Sequence, residues 1–482
     1  RERTQLANPT AYARFITNDL PQQMTFLALF AIGESKFLSG KNTEATSIIE
    51  TAIAAVPMDV KPIGLADAYV RLGWLYQSIP LGESTFDLKS ATKSIEYFNQ
   101  AEALDSTNPA IYWGRGYAYR RKGEYAAAIA DFTRLIELAV DSRIGYAERG
   151  AIYEQQGNYD AAIADFSQVI QQSAEDEYGD NYLLYKRRAS VYIAQGKLEA
   201  ALADYDKAIQ LQPQDAQAYV GRGAVYMAQG DLEAALQDFS RAIQTNAETP
   251  GAYLNRGLVY LQQGKVDDAL ADFNDYIDRW PSNTADVYIG RGAAYSMQLE
   301  FGAAIQDFDK AIQLKPDSFG AYYNRGLAHY HQGNLPAAIA DYDQAIILDP
   351  NQADAYYERG LARADQGDLA TAITDYKQAI ALDPNYAAAY NSLCWSYSLQ
   401  RQPELALPHC QRAIELNPTP GYYDSRGLAY ALLDDFPAAI EDFQKYVDFL
   451  ETSNDLAMSH SLEGRKRWIA TLKAGRNPFT SD

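Results

Sequence analysis

Small, apolar and aromatic residues recur along this chain at helical spacing, in short paired runs with polar residues between them. The stretch from Asp215 to Gln244 shows the unit. Ala218, Tyr219, Gly223 and Tyr226 fall at helical spacing, and the run ends at Gly230. A second run begins near Leu232, carries Ala235, Phe239 and Ala242, and ends before Asn246. Glycine at the turn, and proline after the second run in many units, are helix stop signals. The pattern predicts a helical hairpin.

The hairpin repeats. Arg-Gly stands at Arg115-Gly116, Arg149-Gly150, Arg222-Gly223, Arg256-Gly257, Arg291-Gly292, Arg325-Gly326, Arg359-Gly360 and Arg426-Gly427, and Arg188-Ala189 fills the same slot. Neighbouring slots are mostly 34 residues apart; the step from Arg149 to Arg188 is 39. One hairpin cannot bury its apolar face alone, so a period in this range specifies a stacked array rather than one compact core. Such arrays are far more often binding surfaces than catalysts.

Each unit carries the same marks. The first helix has a small residue, as at Gly33, Gly73, Gly116, Ala189, Gly223 and Cys394, and a Tyr a few residues earlier, as at Tyr112, Tyr219 and Tyr322. The second helix has an early Ala, as at Ala45, Ala128, Ala235 and Ala439, with an aromatic four residues on, as at Phe132, Phe239, Tyr342 and Phe443. A proline often closes the unit, as at Pro57, Pro213, Pro281 and Pro350. The small residues let two helix axes approach and the aromatics fill the space beside them. This pattern resembles the tetratricopeptide repeat over about residues 24 to 453, with Tyr where the family usually has Trp. The resemblance implies an all-α solenoid, a right-handed superhelix of about twelve hairpins. It also implies partners bound as extended peptides or short helices on a concave face lined by the first helix of each repeat. Residues 1–23 are expected to form an N-terminal extension or cap, and 454–482 a capping helix and tail carrying Leu456, Leu462, Trp468, Ile469 and Leu472. Extra residues around Pro80, Leu81, Gly82 and Glu83, and around Ala174 to Glu177, are expected in loops.

Arginine and aspartate vary together. The nine units with Arg before the small residue are those with Asp before the aromatic slot: Asp131, Asp165, Asp204, Asp238, Asp272, Asp307, Asp341, Asp375 and Asp442. Where Ile32, Leu72 or Leu393 replaces Arg, the partner slot holds Ile48, Tyr97 or His409. The two slots face each other across an antiparallel hairpin, which predicts a structural bridge. A ladder of arginines lining a groove would have no reason to vary with the aspartates.

Cys394 and Cys410 replace the small residue and the aromatic of one hairpin. A disulfide and a pair of buried thiols both fit; a disulfide would imply an oxidising compartment. Their separation fits no zinc motif, and the four histidines form no metal set. There is no phosphate-binding glycine loop, nucleophile elbow or isolated carboxylate pair, so an enzyme is not expected, nor a cofactor. A net charge of -21 argues against nucleic acid and anionic membranes, because phosphate binding needs a positive surface. No apolar run is long enough to span a bilayer. The chain opens on Arg1 rather than Met, which slightly favours an extracytoplasmic location after removal of an export signal over a cytoplasmic one.

The inward slots that the resemblance implies can be read by position. Trp113, Tyr117, Arg121 and Lys186 form an aromatic and basic flank. Val220, Leu254, Leu258, Ile289 and Met297 form an apolar middle, and Tyr323, Tyr357 and Trp395 a second flank. Some of the middle set belongs to the core between neighbouring helices; the rest is expected to be a groove for a partner helix or chain terminus. Lys186 and Asn255 or Asn324 match parts of the carboxylate grip of the chaperone-binding subgroup, but in separate repeats, so that role is not implied. Two functions follow: an interaction scaffold that binds a protein or peptide, or a structural subunit that assembles with copies of itself.

Overall fold

The structure, a computed structural model, describes residues 20–57, 60–78, 88–139, 141–173, 181–280, 284–452 and 459–479. Among them are 25 α-helices and no strand. The helices fall into two compact units, residues 1–247 and 248–482.

The first unit holds six hairpins. They are α1 (Leu20–Leu38) with α2 (Asn42–Ala54), α3 (Leu65–Ser78) with α4 (Leu88–Leu104), and α5 (Pro109–Lys122) with α6 (Tyr125–Leu138). Next come α7 (Arg143–Gln155) with α8 (Tyr159–Gln172), α9 (Asn181–Ala194) with α10 (Leu198–Leu211), and α11 (Ala216–Gln229) with α12 (Leu232–Thr245).

The second unit holds six more. They are α13 (Pro250–Gln262) with α14 (Val266–Arg279), α15 (Ala285–Met297) with α16 (Phe301–Leu314), and α17 (Phe319–His331) with α18 (Leu335–Leu348). Then follow α19 (Ala353–Asp365) with α20 (Leu369–Leu382), α21 (Ala387–Leu399) with α22 (Pro403–Leu416), and α23 (Pro420–Leu432) with α24 (Phe436–Thr452). A last helix, α25 (Ser459–Lys473), packs on α24. The first helix of each hairpin is called A below, the second B.

Each unit is an all-α solenoid. Within a unit, helix A packs on its own helix B, and helix B on the next helix A. Successive A helices also touch, as α3 does α5 and α15 does α17, so they share one face. The hairpin between Asp215 and Asn246 shows why the chain folds this way. Asp215 caps α11 by accepting from the Gln217 N–H, and Gly230 ends the helix in the left-handed region, at φ 81°. Asp231 then caps α12 by accepting from the Ala234 N–H.

Close approach sets the core. A Cβ placed on Gly223 would stand 2.8 Å from the Phe239 ring, and one on Gly360 would stand 2.6 Å from Tyr376. Phe132, Phe166, Phe239, Phe273, Phe308 and Phe443 are all fully buried in this slot. Each contributes roughly 1.5–3 kcal/mol of apolar burial. At the C-terminal end Ile469 and Leu472 bury against Phe443 and Val447, and Arg465 pairs with Asp424 of α23 at 2.7 Å. Phe479 lies 4.7 Å from Trp468, ring to ring, and closes this end. The expected insertions near Pro80 and Ala174, the closing Pro281, Leu456 and residues 10–19 lie outside the described residues.

Candidate interaction site

The first question for a binding face is which polar groups are already occupied. In all nine hairpins the Arg of helix A donates through Nε and Nη2 to both carboxylate oxygens of the Asp on helix B, at 2.6–3.0 Å. Every one of these aspartates is buried. Two parallel bonds match the planar fork of guanidinium to carboxylate, a stronger arrangement than a single contact. The arginines are therefore structural and no ladder of ligands.

The third arm of the guanidinium was not anticipated. Nη1 of Arg149 donates to Thr133, that of Arg188 to Ser167, and that of Arg222 to Asp206. Arg291 reaches Asn274, Arg325 reaches Asp309, Arg359 reaches Asp343 and Arg426 reaches Gln411. Arg115 reaches Asn99 and Glu102. Each acceptor except Glu102 stands two residues after the Asp slot of the preceding helix B, so one side chain joins two hairpins. Tyrosines complete the setting: the Arg222 guanidinium lies 5.8 Å from the Tyr219 ring and 6.0 Å from Tyr226. The same sandwich encloses Arg149, Arg188, Arg256, Arg291 and Arg426. This accounts for much of the abundance of Tyr, 37 in the chain.

In the first unit, Trp113 is 39% exposed and packs edge-on against Trp74 at 4.9 Å. On the same helix Tyr117 is half-buried, with the exposed Arg121 guanidinium 5.9 Å from its ring. Lys186 is held by Asp215 at 2.5 Å, so its charge is engaged within the array. Val220 is half-buried on α11.

In the second unit, Leu254 and Leu258 on α13 are half-buried. Ile289 is half-buried as well and packs against Phe308 and Ala328, so it belongs partly to the core. Met297 is 52% exposed at the end of α15. Tyr323 and Tyr357 are half-buried against Tyr342 and Tyr376, and Trp395 against the cluster around Leu428 and Phe443. These A-helix residues make a half-buried apolar and aromatic stretch. Sequence reading passed over Glu358, which sits in it. Burial, reinforced by Asp354, pushes the Glu358 carboxyl up to about 7.

One hairpin departs from the scheme. In α21 and α22 the small residue and the aromatic are Cys394 and Cys410, both fully buried, with Cα atoms 5.0 Å apart and their sulfurs joined. The Arg–Asp slots hold Leu393 and His409. His409 stacks on Tyr397 at 5.9 Å, and burial with nearby Lys377 holds it below the ordinary imidazole range.

Among the described residues, no helix is long and apolar enough to cross a membrane, and no three His, Cys, Asp or Glu side chains are grouped to hold a metal ion. Models of the tetratricopeptide repeat match residues 114–177, 189–230, 225–284, 300–333, 328–367, 360–397 and 387–420, together more than half the chain. Similar solved structures include a tetratricopeptide repeat protein from Parabacteroides merdae ATCC 43184, at 22% identity over 52% of this chain and 97% of that one, TM-score 0.43. YrrB, "a TPR protein with an unusual peptide-binding site", is 22% identical over 38% and 95%, TM-score 0.33. A chain of the APC/C hetero-tetramer Cut9-Hcn1 is 15% identical over 92% and 98%, TM-score 0.45. No curated protein matches the chain.

Proposed function

The chain belongs to the tetratricopeptide repeat family, and from that premise we propose that it is a non-catalytic scaffold that binds a protein or peptide segment on the A-helix face of its second unit. Proteins of this family generally mediate protein–protein interactions. The observation that carries the reading is the half-buried stretch of Leu254, Leu258, Met297, Tyr323, Tyr357 and Trp395 on A helices, beside arginines already bound to aspartates. Apolar side chains left partly open at such slots gain only the remaining fraction of full burial, roughly 0.5–1 kcal/mol each, when a partner covers them. Trp113 and Tyr117 offer a smaller surface of the same kind in the first unit.

The test is a pull-down with the intact chain and with Leu254→Asp. The variant is expected to keep its helical circular dichroism and lose its partner. Loss of helix would make Leu254 core and refute the assignment. Partners retained by the variant would place binding elsewhere. Light scattering during size-exclusion chromatography checks the competing role: polymers growing with concentration would favour a self-assembling subunit.

A further inference from the structure

Glu358 lies on α19 with a carboxyl that no hydrogen bond or ion pair reaches among the described residues. Its neighbour Arg359 is committed to Asp375 and Asp343, and Arg363 to Asp375. The slot that Glu358 occupies faces the tip of the preceding hairpin's aromatic ring. Where the slot is glycine, a Cβ would stand 2.3 Å from Tyr205 Cζ at Gly221 and 2.8 Å from Phe273 Cζ at Gly290. The same register turns the hydroxyl end of Tyr342 toward Glu358. Tyr342 is fully buried, and its Oη has no hydrogen-bond partner.

More tyrosine surrounds the pair. From α17, Tyr323 lies 6.1 Å from Tyr342, and Tyr330 donates to Asp365. From α19, Tyr357 lies 4.9 Å from Tyr386, which donates to Asp354 at 2.6 Å. Asp354 is one helical turn before Glu358 on the same helix.

We propose that this part of the A-helix face receives the ammonium or guanidinium group of a lysine or arginine in the bound segment. The proposal rests on the reading of that face as a partner site. A half-buried carboxyl without a counter-charge and a buried hydroxyl without a partner are both costly, and one cation with several N–H donors satisfies both. Tyrosine faces add attraction for the same charge. An anion would meet Glu358, Asp354 and Asp365. An apolar side chain would leave Glu358 and Tyr342 unmet.

The charged and titratable groups facing Glu358 are Tyr323 and Tyr330 from α17, Tyr342 from α18, Asp354 and Tyr357 from α19, and Tyr386 before α21; Asp365, two turns farther along α19, is held by Tyr330. Burial raises all five of these tyrosines, leaving Glu358 as the group of this set that is pushed up to about 7. The probe is a phage library of random dodecapeptides selected on the intact chain at pH 8, followed by calorimetry on synthetic peptides. Selected peptides are expected to share a Lys or Arg. Acetylating that Lys, or replacing that Arg by Gln, should weaken binding at least tenfold, as should Glu358→Gln; Glu441→Gln on the exposed B-helix side should change nothing. Binding should tighten several-fold from pH 6 to pH 8 and release a proton near pH 7. Peptides that lose binding in Leu254→Asp, yet ignore Glu358→Gln and share no basic residue, would overturn this site and leave the partner face standing. Peptides indifferent to both variants, or no peptide selected, would overturn both.

Discussion

Arg222 touches two aspartates and two tyrosines with one side chain, and that economy makes its removal costly. Arg222→Leu leaves Asp238 buried without its partner, and should cost about 3 kcal/mol in urea unfolding. Arg222→Leu with Asp238→Leu should cost clearly less, because no lone charge remains buried. Asp309 is 54% exposed against 7% for Asp341, so Asp309→Ala should cost well under 1 kcal/mol while Asp341→Ala costs several times more. The Arg–Asp pairing was legible in the sequence because the two residues appear and vanish together. The third arm was legible too, and was missed: an acceptor sits two residues after each Asp slot wherever the next unit has Arg. Before Leu393 that position is Lys377. Glu358 had no such signal, since nothing in its neighbours sets it apart from other surface carboxylates. Its carboxyl, usual near 4.5 and raised to about 7, binds a proton more tightly in the folded chain. Stability from this group is therefore full below pH 4.5 and is lost as pH climbs through 7. Glu358→Gln should raise stability at pH 8 by up to roughly 3 kcal/mol and leave it nearly unchanged at pH 4; equal gains at both would refute the shift.

At the level of the hairpin, the sequence announces each helix because glycine, small residue and aromatic sit at fixed offsets. Turns closed by Gly123, Gly157, Gly196 and Gly230 all lie at positive φ. Where Leu299, Arg401 and Asp434 take the turn instead, the backbone holds the same left-handed conformation at φ near 60°. The pattern does not report what happens past a repeat's end: Phe479, which closes on Trp468, belongs to no period. The hairpin of α21 and α22 spends a covalent bond where its neighbours use glycine against an aromatic. Reduction should lower its stability by roughly 3 kcal/mol, the value for a loop of this size. Hydrogen exchange should then rise in residues 387–416 first. Cys394→Gly with Cys410→Phe restores the contact found elsewhere and should make exchange in this hairpin insensitive to reductant.

Across the molecule, contacts run between neighbouring helices within each unit, so stability is a sum of local terms and neighbour terms. Unfolding in urea should not be a single two-state step, and probes placed in α5 and in α19 should report different midpoints. Coincident midpoints would refute this. The partner face was legible only as a set of slots. Whether Ile289 faces solvent or the core depends on how its neighbours pack, which no periodicity records. The backward-reaching arginine also makes the array a sentence with word order. A copied hairpin brings its own Arg and Asp, yet must borrow an acceptor from whatever stands before it. Copies of α17–α18 inserted behind Asn274, Asp309 or Asp343 would find one. Behind Lys377 they would meet a like charge. Gene duplication can thus lengthen this protein at some seams and not at others, and the residue that decides is two places past an aspartate.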